Sequence, residues 1–416
     1  MQAIQRLYSG SSRGACVLAR AGHEYSAMKA APGGDLALVG GTIHPGPGDQ
    51  VVRDGTVLVR DGVIESVGHP PVPSAVQRID CSGCAVTAGL WNSHVHFFER
   101  MWAGAEAIPP TELDRQLRDA FTAYGFTSVF DTGSMWANTR CIRDRIESGE
   151  VPGPRIRSTG EGLLPAGGLP PDIVLGMMGV MKFPAPEIAD AAQATAAARK
   201  LLEDGVDAIK LFVSTPRSGS LPENAIRAAV DAAHDTGRPA FVHPNSAADV
   251  LAALRAGVDV IAHTTPDSGA WDSPMLAAIA ERRAALTPTL ALWRQFARHD
   301  RVSARERIAV IAAGQVRAWI GAGGTVLFGT DLGAVDPDPS PEYASMAEAG
   351  MTFTQILASL TTAPAERFGV SQRLGRIAPG LHADIAVFEG DPSRDIRALA
   401  KARYTVRAGK VIHRTH

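Results

Sequence analysis

The amino-acid sequence predicts an α/β protein: a (β/α)8 barrel of the TIM type, accompanied by a small composite β-sandwich module built from both ends of the chain. Over residues 86–364, short apolar runs alternate with Ala-rich amphipathic segments, a pattern typical of βα units around a parallel sheet. The flanking segments 35–85 and 365–416 have β character, with short Val/Ile/Leu runs separated by turn signals. A length of 416 residues suffices for one large barrel and a smaller module.

The composition limits the classes of function. A net charge of −2, with 45% hydrophobic and 20% charged residues, is typical of a soluble globular protein and supplies no basic surface for nucleic acid or an anionic membrane. No apolar run reaches the roughly 18 residues that cross a bilayer, and residues 1–34 lack the apolar core of a signal peptide. We therefore expect a cytoplasmic protein without nucleic-acid or membrane partners. Residues 1–34 form a Gly/Ser/Ala-rich N-terminal extension with little expected order.

The two flanking segments each predict a β-hairpin. In the first, Thr56–Arg60 and Val63–Val67 surround an Asp-Gly turn, and in the second, Arg403–Arg407 and Lys410–His413 surround an Ala-Gly turn. Each segment is too short to bury a core of its own. We therefore expect the two segments to pair as one module, with the barrel inserted between them.

The barrel segment divides into eight predicted strands and intervening helices. The strands are Val86–Trp91, Thr127–Asp131, Arg155–Thr159, Ala208–Val213, Ala240–His243, Val260–His263, Ala285–Leu290 and Val326–Thr330. The clearest helices are Pro186–Asp204, Pro222–Thr236, Ala247–Ala256, Pro274–Arg282 and Ala304–Ala322. Eight such units close into a barrel whose active site forms at the carboxyl ends of the strands.

Ionisable side chains collect at these strand ends. His94 and His96 follow the first strand, and residues two apart on a strand point the same way, so the two imidazoles converge as zinc ligands do. The pair alone is a weak signal. His243 and His263 end the fifth and sixth strands, and Asp331 follows the eighth. Each of these could instead be a hydrogen-bonded core histidine or a helix-capping aspartate, but their placement at one rim favours a metal site.

Lys210 lies inside the apolar fourth strand, where burial of an unpaired ammonium is costly. One interpretation is an ion pair with a carboxylate such as Asp331. The other is a neutral lysine carboxylated by CO2, whose two carbamate oxygens bridge two metals. The second interpretation explains why histidines gather around the lysine.

Taken in order and on these strands, the six residues resemble the ligand set of the amidohydrolase superfamily: His94, His96, Lys210, His243, His263 and Asp331. The resemblance covers nearly the whole chain from Leu36 onward, including the closing run 378–387. It is greatest for the imidazolonepropionase-related, prolidase-like branch. The lysine departs from the one-metal imidazolonepropionase pattern and favours two metals.

The resemblance implies two divalent metal ions, with zinc expected. One ion would be bound by His94, His96 and Asp331, and the other by His243 and His263. Carboxylated Lys210 and a hydroxide would bridge them, and Asp331 would carry the proton from the attacking hydroxide to the leaving group.

The expected function is metal-dependent hydrolysis of an amide C–N bond by a metal-bridging hydroxide, on a small-molecule substrate. A one-metal deaminase, an imidazolonepropionase-like cyclic amide hydrolase, a lactone or ester hydrolase and a non-catalytic relative remain alternatives, and a homo-oligomer is left open. Aromatic and arginine residues after the strands suggest contacts to an N-acyl amino acid or a dipeptide-like substrate, although they could equally pack loops onto the barrel. These candidates are Phe97, Trp102, Arg217, Trp293 and Arg294.

Overall fold

The computed structural model describes residues 35–168, 185–215, 218–299 and 301–415. The predicted N-terminal extension and Arg217 lie outside these ranges. Helices and strands alternate through most of the chain, which confirms the predicted α/β class. No helix in the described ranges combines the length and apolar character needed to cross a bilayer.

The strands, numbered in chain order, are β1 (Leu36–Ile43), β2 (Val52–Arg60), β3 (Val63–Gly68), β4 (Gln77–Asp80), β5 (Cys84–Ala88), β6 (Leu90–Val95), β7 (Phe126–Asp131), β8 (Arg155–Ser158), β9 (Leu164–Pro165), β10 (Glu187–Ile188), β11 (Ile209–Phe212), β12 (Ala240–His243), β13 (Val260–Ala262), β14 (Ala285–Thr287), β15 (Thr325–Val326), β16 (Ile385–Glu389), β17 (Ala402–Arg407) and β18 (Lys410–Arg414).

The α-helices, numbered likewise, are α1 (Pro110–Ala120), α2 (Trp136–Glu147), α3 (Ala191–Glu203), α4 (Glu223–His234), α5 (Ala247–Ala256), α6 (Ser273–Arg282), α7 (Leu290–Phe296), α8 (Val302–Gly321), α9 (Ser340–Glu348), α10 (Phe353–Leu360) and α11 (Thr362–Arg367). Helix α5 has the predicted bounds. Helix α3 begins five residues later than predicted, because the Asp190 side chain accepts a hydrogen bond from the backbone N–H of Gln193 and caps the helix there.

Strands from both chain ends share one eight-stranded sheet of order β18-β17-β16-β5-β1-β2-β3, with β4 paired to β1. The join is the antiparallel pair of β16 with β5. Both predicted hairpins are present, and their turn residues have positive φ, 50° at Asp61 and 79° at Gly62, 47° at Ala408 and 75° at Gly409. On these pairings we propose that residues 35–85 and 365–416 fold as one module.

The parallel strands form a three-stranded sheet, β6-β7-β8, and a five-stranded sheet, β11-β12-β13-β14-β15. Hydrogen bonds join the two sheets at both edges. Leu163 N–H donates to Lys210 O at 2.8 Å on one side, and Ser93 N–H donates to Phe328 O at 2.7 Å on the other. This arrangement of parallel strands is consistent with the predicted barrel.

The first and last predicted barrel strands have different bounds in the structure. The predicted strand Val86–Trp91 is wrong, because the chain breaks at Gly89 between β5, in the large sheet, and β6, in the parallel sheet. A Cβ at Gly89 would lie 2.3 Å from Thr127 Oγ1, so only glycine allows this crossing. The last strand shortens to β15, and residues 327–332 continue beside β6.

One layer of apolar side chains fills the interior below the strand ends. Phe368 packs into this layer, with its ring 4.8 Å from that of Phe130. Residues two further along two of the strands are Lys210 and His243, so polar groups stand directly above the apolar layer. The layer comprises Trp91, Phe130, Ala208, Phe241, Val260, Ala285 and Leu327.

Candidate metal centre

The six predicted ligands converge at the carboxyl ends of the parallel strands. The side chains are buried or nearly so: His94 is 1% exposed, His96 9%, Lys210 1%, His263 2% and Asp331 6%. His243, at the end of β12, is half-buried. Charged and polar groups are rarely buried together unless they satisfy one another or hold a ligand.

Four imidazole rings and one carboxylate form a continuous cluster. His96 Nε2 lies 2.8 Å and His94 Nε2 lies 3.4 Å from Asp331 Oδ1. The ligand atoms of these three residues all lie within 4.8 Å of one another, as a shared metal ion requires. The ring of His263 is 4.8 Å from that of His94 and 4.6 Å from that of His243, which extends the cluster across the strand ends.

Hydrogen bonds outside the cluster orient three of the rings. His96 Nδ1 lies 3.2 Å from Gly133 O, and since a carbonyl only accepts, Nδ1 carries a proton, while Nε2 is directed at Asp331. His263 Nδ1 lies 2.6 Å from Thr289 Oγ1, and His243 Nε2 lies 3.3 Å from Asn245 Oδ1. Such contacts fix the orientation of metal-binding histidines and leave the second nitrogen for the metal.

Backbone geometry shows how tightly the site is built. His263 has φ of 70°, Thr289 of 46° and Asp331 of 63°, the left-handed region that non-glycine residues seldom adopt. Each such residue costs on the order of 1–3 kcal/mol, which the surrounding structure must offset. Gly329 lets the chain approach β6 closely, because a Cβ there would lie 2.6 Å from His94 Cβ.

Burial keeps three of the histidines neutral. It lowers the pKa of His94 to about 3 and that of His243 to about 4, with the Lys210 ammonium adding to both shifts. Burial, and then the charge of His243, lowers the pKa of His263 well below its usual value. Neutral imidazole is the form that binds metal, so these shifts fit a ligand role.

Two further groups complete the charge balance. Burial alone would raise the pKa of Asp331, but the adjacent His94 and His96 hold it well below its usual range, so the side chain is a carboxylate. Burial lowers the pKa of Lys210 to about 7. Within the described ranges no carboxylate lies within 4.0 Å of Lys210 Nζ, so the ion-pair interpretation of this lysine has no support there.

These donors suit a divalent metal, and His94 Nδ1 is buried without a hydrogen-bond partner in the described ranges. The sequence profile of the Amidohydrolase family matches residues 85–412. The chain belongs to the amidohydrolase family. Over 43 residues it is 51% identical to the amidohydrolase tasK of Hapsidospora irregularis, a match that spans 10% of this chain and only 4% of that protein.

Solved structures of amidohydrolase relatives share the fold. An Xaa-Pro dipeptidase with methionine bound in its active site aligns at 24% identity with a TM-score of 0.77, over 91% of this chain and 99% of that one. A prolidase complexed with N-methylphosphonate-L-proline aligns at 25% identity with a TM-score of 0.75, over 92% of this chain and 100% of that one. The amidohydrolase family consists of enzymes that act on small-molecule substrates.

The predicted substrate contacts of this amidohydrolase separate into two groups. Phe97 is 1% exposed and Trp102 0% exposed, and their rings pack 5.0 Å apart in the hydrophobic core, where a substrate contact has no support. Trp293 is half-buried and its ring lies 6.5 Å from that of His263, while its Nε1 donates to Thr264 Oγ1 at 2.8 Å. Arg294 is exposed and forms an ion pair with Glu348. Trp293 alone among these four borders the metal centre.

Several residues of the amidohydrolase site were absent from the sequence prediction. Phe98 stacks on His96 with ring centres 4.8 Å apart, and Phe212 lies 5.3 Å from the ring of His243. Asn245 and Thr289 hold the histidine rings, as described above. Asn245 follows a predicted strand and Thr289 lies near the end of another, so position was an available signal. Polar residues are common in such loops, however, so position alone does not select them.

Proposed function

We propose that this amidohydrolase is a binuclear metal-dependent hydrolase. The observation that carries the proposal is a group of four largely buried histidines around Asp331, together with buried Lys210, which forms no ion pair within the described ranges. His94, His96 and Asp331 would hold one ion, and His243 and His263 the other. Zinc fits the mixed nitrogen and oxygen ligands.

Lys210 is suited to carboxylation. With its pKa at about 7, a large share of the side chain is the neutral amine at neutral pH. Its Nζ can add to CO2, forming one N–C bond and releasing one proton, and the product carries one negative charge. Two divalent ions would offset that charge in a buried position. Metal binding and carboxylation would therefore stabilise each other.

Bound divalent ions would supply Lewis acidity, which polarises an amide carbonyl and makes a nearby water easier to deprotonate at neutral pH. The chain supplies the proton transfer. Asp331 is a buried carboxylate, and it can accept the proton of the attacking water and return it to the leaving nitrogen. The expected products are a carboxylate and an amine.

For the substrate we propose an N-acyl amino acid or dipeptide-like molecule with a bulky apolar group. Support comes from the aromatic rings around the ligands: Phe98 beside His96, Phe212 beside His243, and Trp293 near His263. Aromatic rings around a few polar groups are typical of pockets for apolar ligands. Structural relatives that act on Xaa-Pro dipeptides fit this class.

The test joins metal analysis with a substrate screen. Full-length protein supplied with Zn2+ and bicarbonate should hold about two ions per chain by elemental analysis, and Lys210→Ala should hold fewer. The reconstituted protein should hydrolyse bulky N-acyl amino acids or dipeptides faster, by kcat/KM, than lactones, carbamates or small polar amides. A folded Lys210→Ala protein that retains two ions would refute the bridging lysine. Deamination or lactone hydrolysis as the leading activity would refute the amide assignment.

A further inference from the structure

Asp131 is a buried carboxylate beside the proposed ligands but outside their set. It ends β7 and is 0% exposed. Its Oδ1 accepts hydrogen bonds from Ser134 Oγ at 2.6 Å and from Gly133 N–H at 3.4 Å. Its Oδ2 accepts from Ser158 Oγ at 2.7 Å and from Thr139 Oγ1 at 3.1 Å. One carboxylate therefore connects the turn after β7 to helix α2 and to strand β8.

The turn that Asp131 holds contacts His96 in two ways. Gly133 O accepts the hydrogen bond from His96 Nδ1 at 3.2 Å, which leaves Nε2 directed at Asp331. Ser134 Oγ accepts a hydrogen bond from the backbone N–H of Phe97, the next residue, at 2.7 Å. The ring of His96 and the backbone beside it are thus both held by groups that bond to Asp131.

We propose that Asp131 is a positioning residue, which sets the orientation and tautomer of the His96 ring through the turn at Gly133 and Ser134. This proposal rests on the proposed metal centre, in which His96 Nε2 is a ligand atom. Contacts of this kind to a metal-binding histidine typically change metal affinity or activity by about 10–100-fold when removed.

The hydrogen-bond inventory requires an acceptor at position 131. Ser134 Oγ already accepts from Phe97 N–H, and Ser158 Oγ accepts from Gly160 N–H at 2.9 Å, so each hydroxyl directs its single proton to Asp131. An ionised carboxylate only accepts and matches these donors. An asparagine would turn an NH2 group toward one pair of donors, and hydroxyl protons would then lose their acceptor.

The experiment separates positioning from a purely structural role by comparing three variants of the full-length protein. Asp131→Asn removes the acceptor, and Ser134→Ala removes the hydroxyl that accepts from Phe97 N–H and donates to Asp131. Asp207→Asn is the matched control, because Asp207 is also buried, accepts from Ser158 N–H at 3.0 Å and pairs with Arg143 at 2.9 Å, with no hydrogen bond to a proposed ligand. Each variant is titrated with Co2+, whose visible absorption reports its coordination.

Asp131→Asn should bind Co2+ about 10–100-fold more weakly, with an altered absorption spectrum. Ser134→Ala should change the Co2+ affinity and the absorption spectrum in the same direction, but by less. Asp207→Asn should lower thermal stability and leave the Co2+ affinity and the spectrum unchanged. In metal-free wild-type protein, ring 15N chemical shifts should show that His96 Nδ1 is protonated, and in Asp131→Asn the protonated share of Nδ1 should fall.

A folded Asp131→Asn protein with wild-type Co2+ affinity and the Nδ1–H tautomer would overturn the proposal. Should that variant not fold, Ser134→Ala decides the question, and unchanged Co2+ affinity and spectrum in it would overturn the proposal. A wild-type protein that binds no Co2+ would instead refute the metal centre. In that case the tautomer comparison in metal-free protein still tests the positioning role.

Discussion

At the scale of the residue, Asp331 joins an uncommon backbone conformation to an uncommon charge environment. Its φ of 63° turns the chain so that the carboxylate faces His94 and His96, and its N–H donates to His94 O at 2.9 Å. The two histidines hold its pKa low despite burial. In the proposed mechanism this ionised carboxylate would serve both as a metal ligand and as a proton acceptor.

We predict that Asp331→Asn lowers kcat on the order of 10²–10⁴-fold, because the amide cannot accept the proton of the attacking water. Steady-state kinetics on the best substrate of the screen would measure the loss, and circular dichroism would check the fold. Asp336→Asn is the control, since Asp336 is an exposed carboxylate five residues along the same loop. Wild-type kcat in folded Asp331→Asn would remove this residue from the mechanism.

At the scale of the element, helix α7 shows how one buried side chain places part of the site. Glu342, on α9, is 0% exposed and accepts hydrogen bonds from the N–H groups of Leu290 at 2.9 Å and Ala291 at 2.7 Å. It therefore caps the positive end of α7. The residue before that helix is Thr289, whose hydroxyl contacts His263. Glu342 thus fixes both the start of α7 and the contact to His263.

The charge of Glu342 predicts a pH dependence of stability. Burial raises its pKa to about 7, although the two backbone N–H groups oppose the shift. The unfolded chain ionises near pH 4.3, so the folded state binds the proton more tightly. Glu342 therefore favours folding below pH 4.3, and this contribution is lost as the pH rises toward 7. The total is on the order of 3 kcal/mol.

Glu342→Gln removes this ionisation while keeping the size of the side chain. We expect the variant to gain stability relative to the wild type as the pH rises from 5 to 8, by up to about 3 kcal/mol. Urea unfolding at each pH, monitored by tryptophan fluorescence, gives the difference in the free energy of unfolding between the two proteins. Groups that titrate in the same way in both proteins do not contribute to this difference. Parallel pH profiles for the two proteins would contradict the raised pKa of Glu342.

At the scale of the whole molecule, buried charges join the large sheet to the barrel at the end away from the site. Asp384, just before β16, is 3% exposed and accepts two hydrogen bonds from Arg155 at the start of β8. It also accepts from Ala408 N–H at 2.8 Å. Arg407, on β17, pairs with Glu147 at the end of α2. The strands that complete the large sheet are thus connected to the barrel by ion pairs.

We predict that Asp384→Asn lowers the free energy of unfolding by roughly 3–5 kcal/mol, because a largely buried Arg155 loses its counter-charge. The midpoint of urea unfolding would report the change. Arg60→Gln is the control, since the ion pair of Arg60 with Asp35 is open to solvent, where such pairs add little stability. If the urea midpoint shifted by the same small amount in both variants, the ion pair of Asp384 with Arg155 would not stabilise the contact between the large sheet and the parallel strands.

The sequence alone determined the features that depend on local periodicity. Alternating apolar runs and helical segments indicated the α/β class, and strand ends selected the six residues that the structure brings together, His94 to Asp331. Residues two apart share a face of a strand, and parallel strands present their carboxyl ends at one rim. The two hairpins followed from their turn residues for the same local reason. The metal and proton-transfer roles of these residues stay predictions.

Only the tertiary structure decided what depends on neighbours distant in the chain. The apolar run Val86–Trp91 did not indicate that the chain passes from the large sheet to the parallel sheet at Gly89, because strands of both sheets are buried and apolar. Phe97 and Trp293 are both aromatic residues in loops, yet one enters the core and the other borders the histidines. Asp131 became informative only through its partners on α2 and β8. The sequence indicates which side chains can be buried, whereas the packing of the strands and helices determines which other side chains they contact.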